Sequence, residues 1–319
     1  MKIAVIGCGR WGSFIAWYLD KIGNEVTLYG RETSENMKNF LENRKNNFLE
    51  LPKSISLTTN INDVFDKDLI IISVGTQGLR DLLNENKVLF REKNIPIILC
   101  MKGIEIKTGF TPTKIVKDIL GENYSCGAWI GPGHVQDFTN GIPNCMVIDS
   151  DDRELVKKLV DSFSSNLIRF YYGTNLLGNE IGAASKNVIG IAAGMLDGFN
   201  LSSLKGALMS RGTREIARLI EKMGGDKSCA YGLCHLGDYE ATVFSEFSNN
   251  RKFGEKFVKG ESFEKLAEGY FTTKALMDLS EKYDVELPIT NAVYEIIYNK
   301  KDPKEILDNL FKRSIKMEF

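Results

Sequence analysis

The string Gly7-Cys8-Gly9-Arg10-Trp11-Gly12 constrains this chain more than any other feature. It follows an apolar run, Ile3-Ala4-Val5-Ile6, opens a helical pattern over residues 11–22, and precedes a second apolar run over 25–29. Alone, G-x-G-x-x-G is weak evidence; between a strand and a helix it has specific physics. Gly7 permits the tight turn, Gly9 lets backbone N–H groups approach a pyrophosphate, and Gly12 allows close helix–strand packing. The helix N-terminus then presents its positive end to the phosphates. Gly7, Gly9 and Gly12 are therefore candidate dinucleotide contacts. A glycine-rich turn without a ligand is the alternative.

Short apolar strands continue to alternate with helical patterns. Strands are expected at Lys2–Ile6, Glu25–Tyr29, 69–74, 96–100, 125–130 and 145–148. In the first helix, Phe14, Ile15, Trp17, Tyr18 and Ile22 are the apolar positions. This alternation argues for an α/β fold with a Rossmann-like, doubly wound, mostly parallel sheet. After Tyr172 the strand signals fade. Helical patterns fill 181–199, 201–223, 266–283, 290–298 and 304–311, with Gly224-Gly225, Pro288 and Pro303 as punctuation. The expected organisation is a dinucleotide-binding domain over 1–178 and an all-α substrate domain over 179–319.

Composition narrows the function classes. Lys plus Arg number 41 against 42 Asp plus Glu, so no overall basic field exists to drive nucleic-acid binding. The longest apolar stretch, 188–196, lies between Lys186 and Asp197 and is too short to span a bilayer. The N-terminal apolar run is too short for a signal peptide. The six cysteines include no C-x-x-C pair, and the two histidines lie far apart. A reduced, cytoplasmic chain without a metal site follows as the expectation. Cys234 beside His235 reads as a half-buried thiol in a turn rather than a ligand or nucleophile.

The second strand ends Tyr29-Gly30-Arg31-Glu32. An NAD-selective site usually offers an acid to the adenosine ribose; Arg31 can instead pair with a 2′-phosphate or stack on adenine. Glu32 can serve the ribose if the strand ends one residue later. NADP(H) is favoured and NAD(H) stays open, as does the reading of Arg31 as an exposed arginine after a strand.

Further motifs, in order, give the chain a resemblance to the bacterial-type NAD(P)-dependent glycerol-3-phosphate dehydrogenases. Val74-Gly75-Thr76 looks like the family's third-strand Val-Pro-Ser, and Lys102-Gly103-Ile104-Glu105 matches its Lys-Gly-Ile-Glu. Ile130-Gly131-Pro132 matches in part a Ser-Gly-Pro-Ser segment. The run from Lys186-Asn187-Val188 to Ala193-Gly194 is close to the signature helix. Ser210-Arg211-Gly212, Met223-Gly224-Gly225, Leu236-Gly237-Asp238, Glu268-Gly269 and Leu287-Pro288-Ile289 complete the series. The resemblance implies reversible hydride transfer between NAD(P)H and dihydroxyacetone phosphate, supplying glycerol 3-phosphate for glycerophospholipid synthesis. It places the catalytic groups at Lys186, Lys102 and Asp238. Cofactor contacts fall on the glycine turn with Arg10 and Trp11, and on Arg31, Lys102 and Glu268. Substrate contacts fall on Lys102, Gly131, Lys186, Asn187, Asp238, Ser248, Asn250 and Arg251. A homodimer is compatible with the helical half.

These residue types suit the chemistry. Ketone reduction delivers hydride to carbon and a proton to oxygen, and the developing alkoxide needs an acid and positive charge nearby. Lys186 sits among small apolar neighbours that can desolvate it and lower its pKa. Lys102 follows a buried strand, where open α/β sheets place ligand crevices. Asp238 can orient Lys186. Each has a plainer reading: a snorkelling helix lysine, a solvated loop cation and a helix cap.

Three segments depart from the family's pattern. Its Ser-Arg-Asn-Arg-Arg-Phe-Gly is Ser248-Asn249-Asn250-Arg251-Lys252-Phe253-Gly254, so a phosphate-binding arginine is replaced by Asn249. Gly-Pro-Ser-Phe-Ala has become Gly131-Pro132-Gly133-His134-Val135, and Ala-Gly-Leu-Gly-Asp has become Cys234-His235-Leu236-Gly237-Asp238. Losing a charge-assisted hydrogen bond to phosphate costs about 1.5–3 kcal/mol, for which Arg251, Lys252 or His134 are the candidate compensations. Two further readings stay open. One is a same-fold dehydrogenase of another hydroxy compound, including the G-x-x-x-K-x-x-x-N class, in which Gly190 stands at the asparagine position. The other is a non-catalytic NADPH-binding protein.

Overall fold

The computed structural model describes residues 1–314 and 317. Contacts divide the chain into two compact units, Met1–Lys102 with Phe110–Glu180, and Gly103–Gly109 with Ile181–Phe319. The segment Gly103–Gly109, inside the expected first domain, groups with the second unit.

The first unit runs β1 (Lys2–Ile6), α1 (Arg10–Lys21), β2 (Glu25–Tyr29), α2 (Glu35–Asn43), β3 (Ser56–Thr58), β4 (Leu69–Ile72), α3 (Leu79–Glu85), α4 (Lys87–Lys93), β5 (Ile97–Leu99), α5 (Pro112–Leu120), β6 (Cys126–Ile130), α6 (Val135–Thr139), β7 (Asn144–Ser150), α7 (Arg153–Phe163) and β8 (Ile168–Tyr172). The eight-stranded sheet has the order β3-β2-β1-β4-β5-β6-β7-β8, and every pair is parallel except β6 with β7. The fold is thus the expected doubly wound, mostly parallel sheet.

Both faces of this sheet are covered, which is why its strands read as unbroken apolar runs. Ile3 and Val5 face one core with Phe14, Tyr18, Trp129 and Phe163. Ala4 and Ile6 face the other with Leu79, Leu83, Ile115 and Ile119. Strands expected at 69–74 and 96–100 are shorter, ending at Ile72 and Leu99. β3 and β8 had no expectation. They are edge strands, and in β8 buried residues alternate with exposed ones, so neither presents a continuous apolar run.

The second unit is helical: α8 (Leu176–Gly198), whose first turn lies in the other unit, then α9 (Lys205–Lys222), α10 (Asn249–Val258), α11 (Glu268–Lys282), α12 (Pro288–Ile297) and α13 (Pro303–Phe311). Residues 178–191 of α8 are buried throughout. A helix apolar all round is a core helix, so polar residues on it are costly unless paired. Among the described residues no helix is long and apolar enough to cross a membrane.

Candidate active site

In the first unit the site is a matter of backbone. β1 lies between β2 and β4, so the chain winds away in opposite directions from it, and ligand crevices form at such a point. Gly7 takes φ +110 and donates its N–H to Tyr29 O at 2.9 Å. A Cβ there would lie 2.3 Å from Ser73 O, and one at Gly12 would lie 1.8 Å from Gly7 O. These two glycines are needed for the protein's own packing. A Cβ at Gly9 would meet nothing within 4 Å. Gly9 is also the N-cap of α1 and supplies no side-chain cap. The N–H groups of the first turn, which have no intrahelical acceptor, therefore border open space that a Cβ would begin to fill. That cradle fits a pyrophosphate.

Beside it, Lys102 Nζ donates to Gly131 O at 2.6 Å and sits 5.6 Å from the centroid of the Trp11 ring. Lys102 follows β5 and Gly131 follows β6, so the first unit brings Trp11, Lys102 and Gly131 together at the carboxyl end of the sheet. Gly133 has φ +139, and a Cβ would lie 2.4 Å from the Phe138 ring. The serine found there in the resembled pattern has no room without a shift of that ring. His134 is buried at the start of α6. Arg10 stacks over Phe48, 5.5 Å from its centroid. Arg31 and Glu32 are both exposed beyond β2.

In the second unit the site is a matter of side chains. Lys186 and Asp238 are 7% and 0% exposed, and Lys186 Nζ lies 2.8 Å from Asp238 Oδ2. The ammonium also donates to Thr242 Oγ1 at 2.7 Å, and that hydroxyl donates to Asp238 O at 2.7 Å. Thr242 lies in a π-helical turn, Glu240–Phe244, a rare geometry that often accompanies functional sites. Sequence reasoning missed Thr242; its place four residues past Asp238 carries no signal of its own. One residue on, Asn187 Oδ1 accepts from Asn250 Nδ2 at 3.0 Å, and Asn250 Oδ1 accepts from Gly269 N at 2.9 Å. Glu268 opens α11 next to that contact. Lys186, Asn187, Asp238, Asn250 and the Glu268 turn thus form one neighbourhood.

A Cβ at Gly190 would lie 2.7 Å from Thr242 Cγ2 and 3.3 Å from Asn250 Cβ. The asparagine of the G-x-x-x-K-x-x-x-N class has no space there.

Other candidates sit differently. Ser248 caps α10 by accepting from Arg251 N at 3.3 Å. Asn249 Nδ2 donates to Leu266 O at 3.2 Å. Arg251 directs its Nε to Asp197 Oδ2 at 2.5 Å, within a cluster that includes Lys205 and Ser202. Burial acts on Asp197, yet Lys205, Ser202 and Arg251 outweigh it and hold its carboxyl below the usual range. Cys234, expected half-buried, is fully buried, as is His235. Four of the other cysteines are buried and none forms a disulfide. Burial pushes the Cys126 thiol up to about 12 and raises Cys100, which leaves both as inert thiols. Among the described residues no three His, Cys, Asp or Glu are grouped to hold a metal.

Two buried carboxylates went unnoticed in the sequence. α5 and α12 each begin with proline and have no side-chain cap from their own N-cap residue. Each is capped from a distant helix. Glu180 of α8 accepts from Thr113 N at 2.9 Å and from its hydroxyl. Glu215 of α9 accepts from Ile289 N at 2.8 Å and Thr290 N at 3.0 Å. Burial drives both pKa values up, Glu180 to about 7, against the opposing hydrogen bonds.

Comparison with known proteins decides the family. The profile described as NAD-dependent glycerol-3-phosphate dehydrogenase N-terminus matches residues 2–156, and its C-terminus counterpart matches 175–308. The chain belongs to the NAD-dependent glycerol-3-phosphate dehydrogenase family. A glycerol-3-phosphate dehydrogenase [NAD(P)+] of Fusobacterium nucleatum is 33% identical across 100% of this chain and 98% of its own length. One from a Thermoanaerobacter species is 32% identical across 100% and 99%. The crystal structure of the Coxiella burnetii glycerol-3-phosphate dehydrogenase superposes with a TM-score of 0.90 at 26% identity, covering 98% of this chain and 99% of that one. Family membership makes the chain an NAD(P)-linked oxidoreductase of the CH–OH-acting type, and the cradle at Gly9 fits the nicotinamide dinucleotide such enzymes use.

Proposed function

We propose that this chain catalyses reversible hydride exchange between NAD(P)H and dihydroxyacetone phosphate, giving glycerol 3-phosphate in the cytoplasm for glycerophospholipid synthesis. The observation that carries this reading is the buried pair that Lys186, on the family-matching helix α8, makes with Asp238 of a separate turn. Burying an ammonium costs several kcal/mol unless it is paired and hydrogen-bonded. A snorkelling lysine would reach for water, whereas this side chain is 9% exposed and faces a carboxylate and a hydroxyl. A helix cap alone does not describe Asp238 either, since its Oδ2 lies 2.8 Å from the ammonium.

In this reading the dinucleotide contacts are Gly7, Gly9, Arg10, Trp11, Gly12 and Arg31, together with Lys102 and Glu268. When bound, the cofactor supplies a hydride to, or takes one from, C2 of the substrate. Lys186 gives its proton to the oxygen on C2 in reduction and takes it back in oxidation. Asp238 orients the amine and offsets its charge. Lys102 adds positive charge for the developing alkoxide. Gly131, Asn187, Ser248, Asn250 and Arg251 contact the phosphorylated triose. Arg31 favours NADP(H), because a guanidinium pairs well with a 2′-phosphate.

The test is nicotinamide absorbance with dihydroxyacetone phosphate and, separately, a panel of 2-keto acids, each with NADPH and NADH. Turnover confined to the phosphate ester is expected. Turnover confined to keto acids, or cofactor binding without turnover on any carbonyl, would end this reading.

A further inference from the structure

The turn that carries Asp238 also carries a histidine that the proposed chemistry leaves unused. His235 is fully buried. Its Nδ1 lies 2.8 Å from Gly182 O, and its Nε2 lies 2.7 Å from Tyr239 Oη. A carbonyl oxygen only accepts, so Nδ1 carries the proton. The neutral ring then accepts at Nε2, and the Tyr239 hydroxyl donates to it. Burial pulls the His235 pKa down to about 4; the nearby Lys186 charge pulls the same way, while the Gly182 bond and Asp238 oppose.

The location matters more than the bonds themselves. Gly182 and Lys186 are four residues apart on α8, so they share a face, and in the helical ladder the Gly182 carbonyl also accepts from the Lys186 backbone N–H. On the other side, His235 O accepts from Asp238 N at 3.0 Å. The ring therefore bridges the Asp238 turn to the Lys186 helix. Gly182 makes this approach possible: a Cβ there would stand 3.1 Å from His235 Cβ.

We infer that His235 is a positioning residue, whose imidazole holds the Asp238 turn against α8 and so fixes the carboxylate beside Lys186. The inference rests on the proposed reaction. In the resting protein the Lys186–Asp238 attraction helps hold the turn. Once Lys186 has given up its proton that attraction is gone, yet Asp238 must stay in place for the amine to regain one. The His235 bridge is neutral at both ends, so its strength does not depend on the charge of Lys186. Its contribution should therefore appear in turnover more than in binding.

The experiment uses the full chain with His235→Ala, His235→Asn and Tyr239→Phe. Asparagine keeps a donor near the position of Nδ1. A shift of about 1 Å at a reacting group costs on the order of a hundredfold. His235→Ala is expected to lower kcat about ten- to a hundredfold with the KM for NADPH unchanged within about twofold. His235→Asn should recover most of that loss, and Tyr239→Phe should fall between. If His235→Ala does not fold, the other two variants carry the test. Nitrogen-15 NMR adds an independent readout, because the chain has two histidines and His235→Asn identifies the resonance. That ring should be the neutral Nδ1–H tautomer at neutral pH. Wild-type kcat in His235→Ala, no recovery in His235→Asn, or a charged ring at neutral pH overturns the inference. Wild-type protein that turns over no carbonyl removes the functional reading beneath it instead, a separate and distinguishable result.

Discussion

The two units prepare for chemistry with different materials. The first relies on the backbone: N–H groups at the start of α1, a φ of +110 that glycine permits at Gly7, and the space above Gly9. The second relies on side chains buried in a helix core, where Lys186, Asp238 and Thr242 are linked by contacts of 2.7–2.8 Å. A backbone-built site tolerates changes of side-chain identity but not an added Cβ. A side-chain-built site fails in the opposite way. It can accept small backbone adjustments, but removing one charged partner leaves the other stranded, at about 3–5 kcal/mol.

That contrast is broken most directly by Lys186→Ala. Removing a general acid costs about two to four decades in rate, so turnover should fall roughly a thousandfold. The NADPH dissociation constant should hold within about twofold, because the cofactor cradle belongs to the other unit. The melting temperature should drop too, since Asp238 keeps a buried charge. Titration of the folded variant with NADPH separates the two effects, and comparable turnover would remove Lys186 from the chemistry.

The next largest effect concerns the glycines. Gly12→Ala puts a Cβ 1.8 Å from a backbone oxygen, an overlap that must move α1 off β1. Its cost should reach the exceptional range of about 4–5 kcal/mol. Gly9→Ala faces open space in the protein alone, so thermal stability without ligand should stay within about 0.5 kcal/mol while NADPH affinity falls. If both variants lose stability equally, the space above Gly9 is not a ligand cradle.

This difference also explains what the sequence disclosed. The glycine spacing exposed the first unit's site, because backbone constraints leave a residue type behind. Runs such as Ile3–Ile6 and Leu69–Ile72 exposed the buried sheet. In the first unit no helix after α1 was placed, although α7 repeats Leu155, Val156, Leu159, Val160 and Phe163 at helical spacing. The second unit's cluster was legible only through the family resemblance, since Lys186 pairs with Asp238 across 52 residues of chain. Glu180 and Glu215 had no signal at all. Their caps reach 67 and 74 residues away, whereas a local cap leaves its mark within a few residues.

Those carboxylates allow a pH test. Glu180 is buried, and its pKa rises from an ordinary 4.5 to about 7. The folded state therefore holds its proton where the unfolded chain has lost it. Stability from this group is greatest below about pH 4.5 and declines as pH rises towards about 7. The size is about 3 kcal/mol, at about 1.4 kcal/mol per pH unit. Glu180→Gln keeps an acceptor for Thr113 N and cannot ionise, so the decline in melting temperature between pH 5 and pH 8 should flatten by an amount on this order. An unchanged slope would place the titration elsewhere.

The smallest effect tests the far end of the first unit, where a side chain is asked to do what the backbone cannot. Backbone N–H groups bind the pyrophosphate common to NAD(H) and NADP(H), and so cannot choose between them. Choice falls to residues beyond β2, of which Arg31 and Glu32 are both exposed. An exposed guanidinium–phosphate contact is weakened by water and salt, so the expected effect is about tenfold rather than a hundredfold. Arg31→Ala should raise the KM for NADPH by that factor, leave NADH unchanged, and lose its effect as ionic strength rises. Equal losses with both cofactors would mean that Arg31 stacks on adenine. No loss with either would make it a solvated arginine, and Glu32 would become the residue to test for a ribose contact.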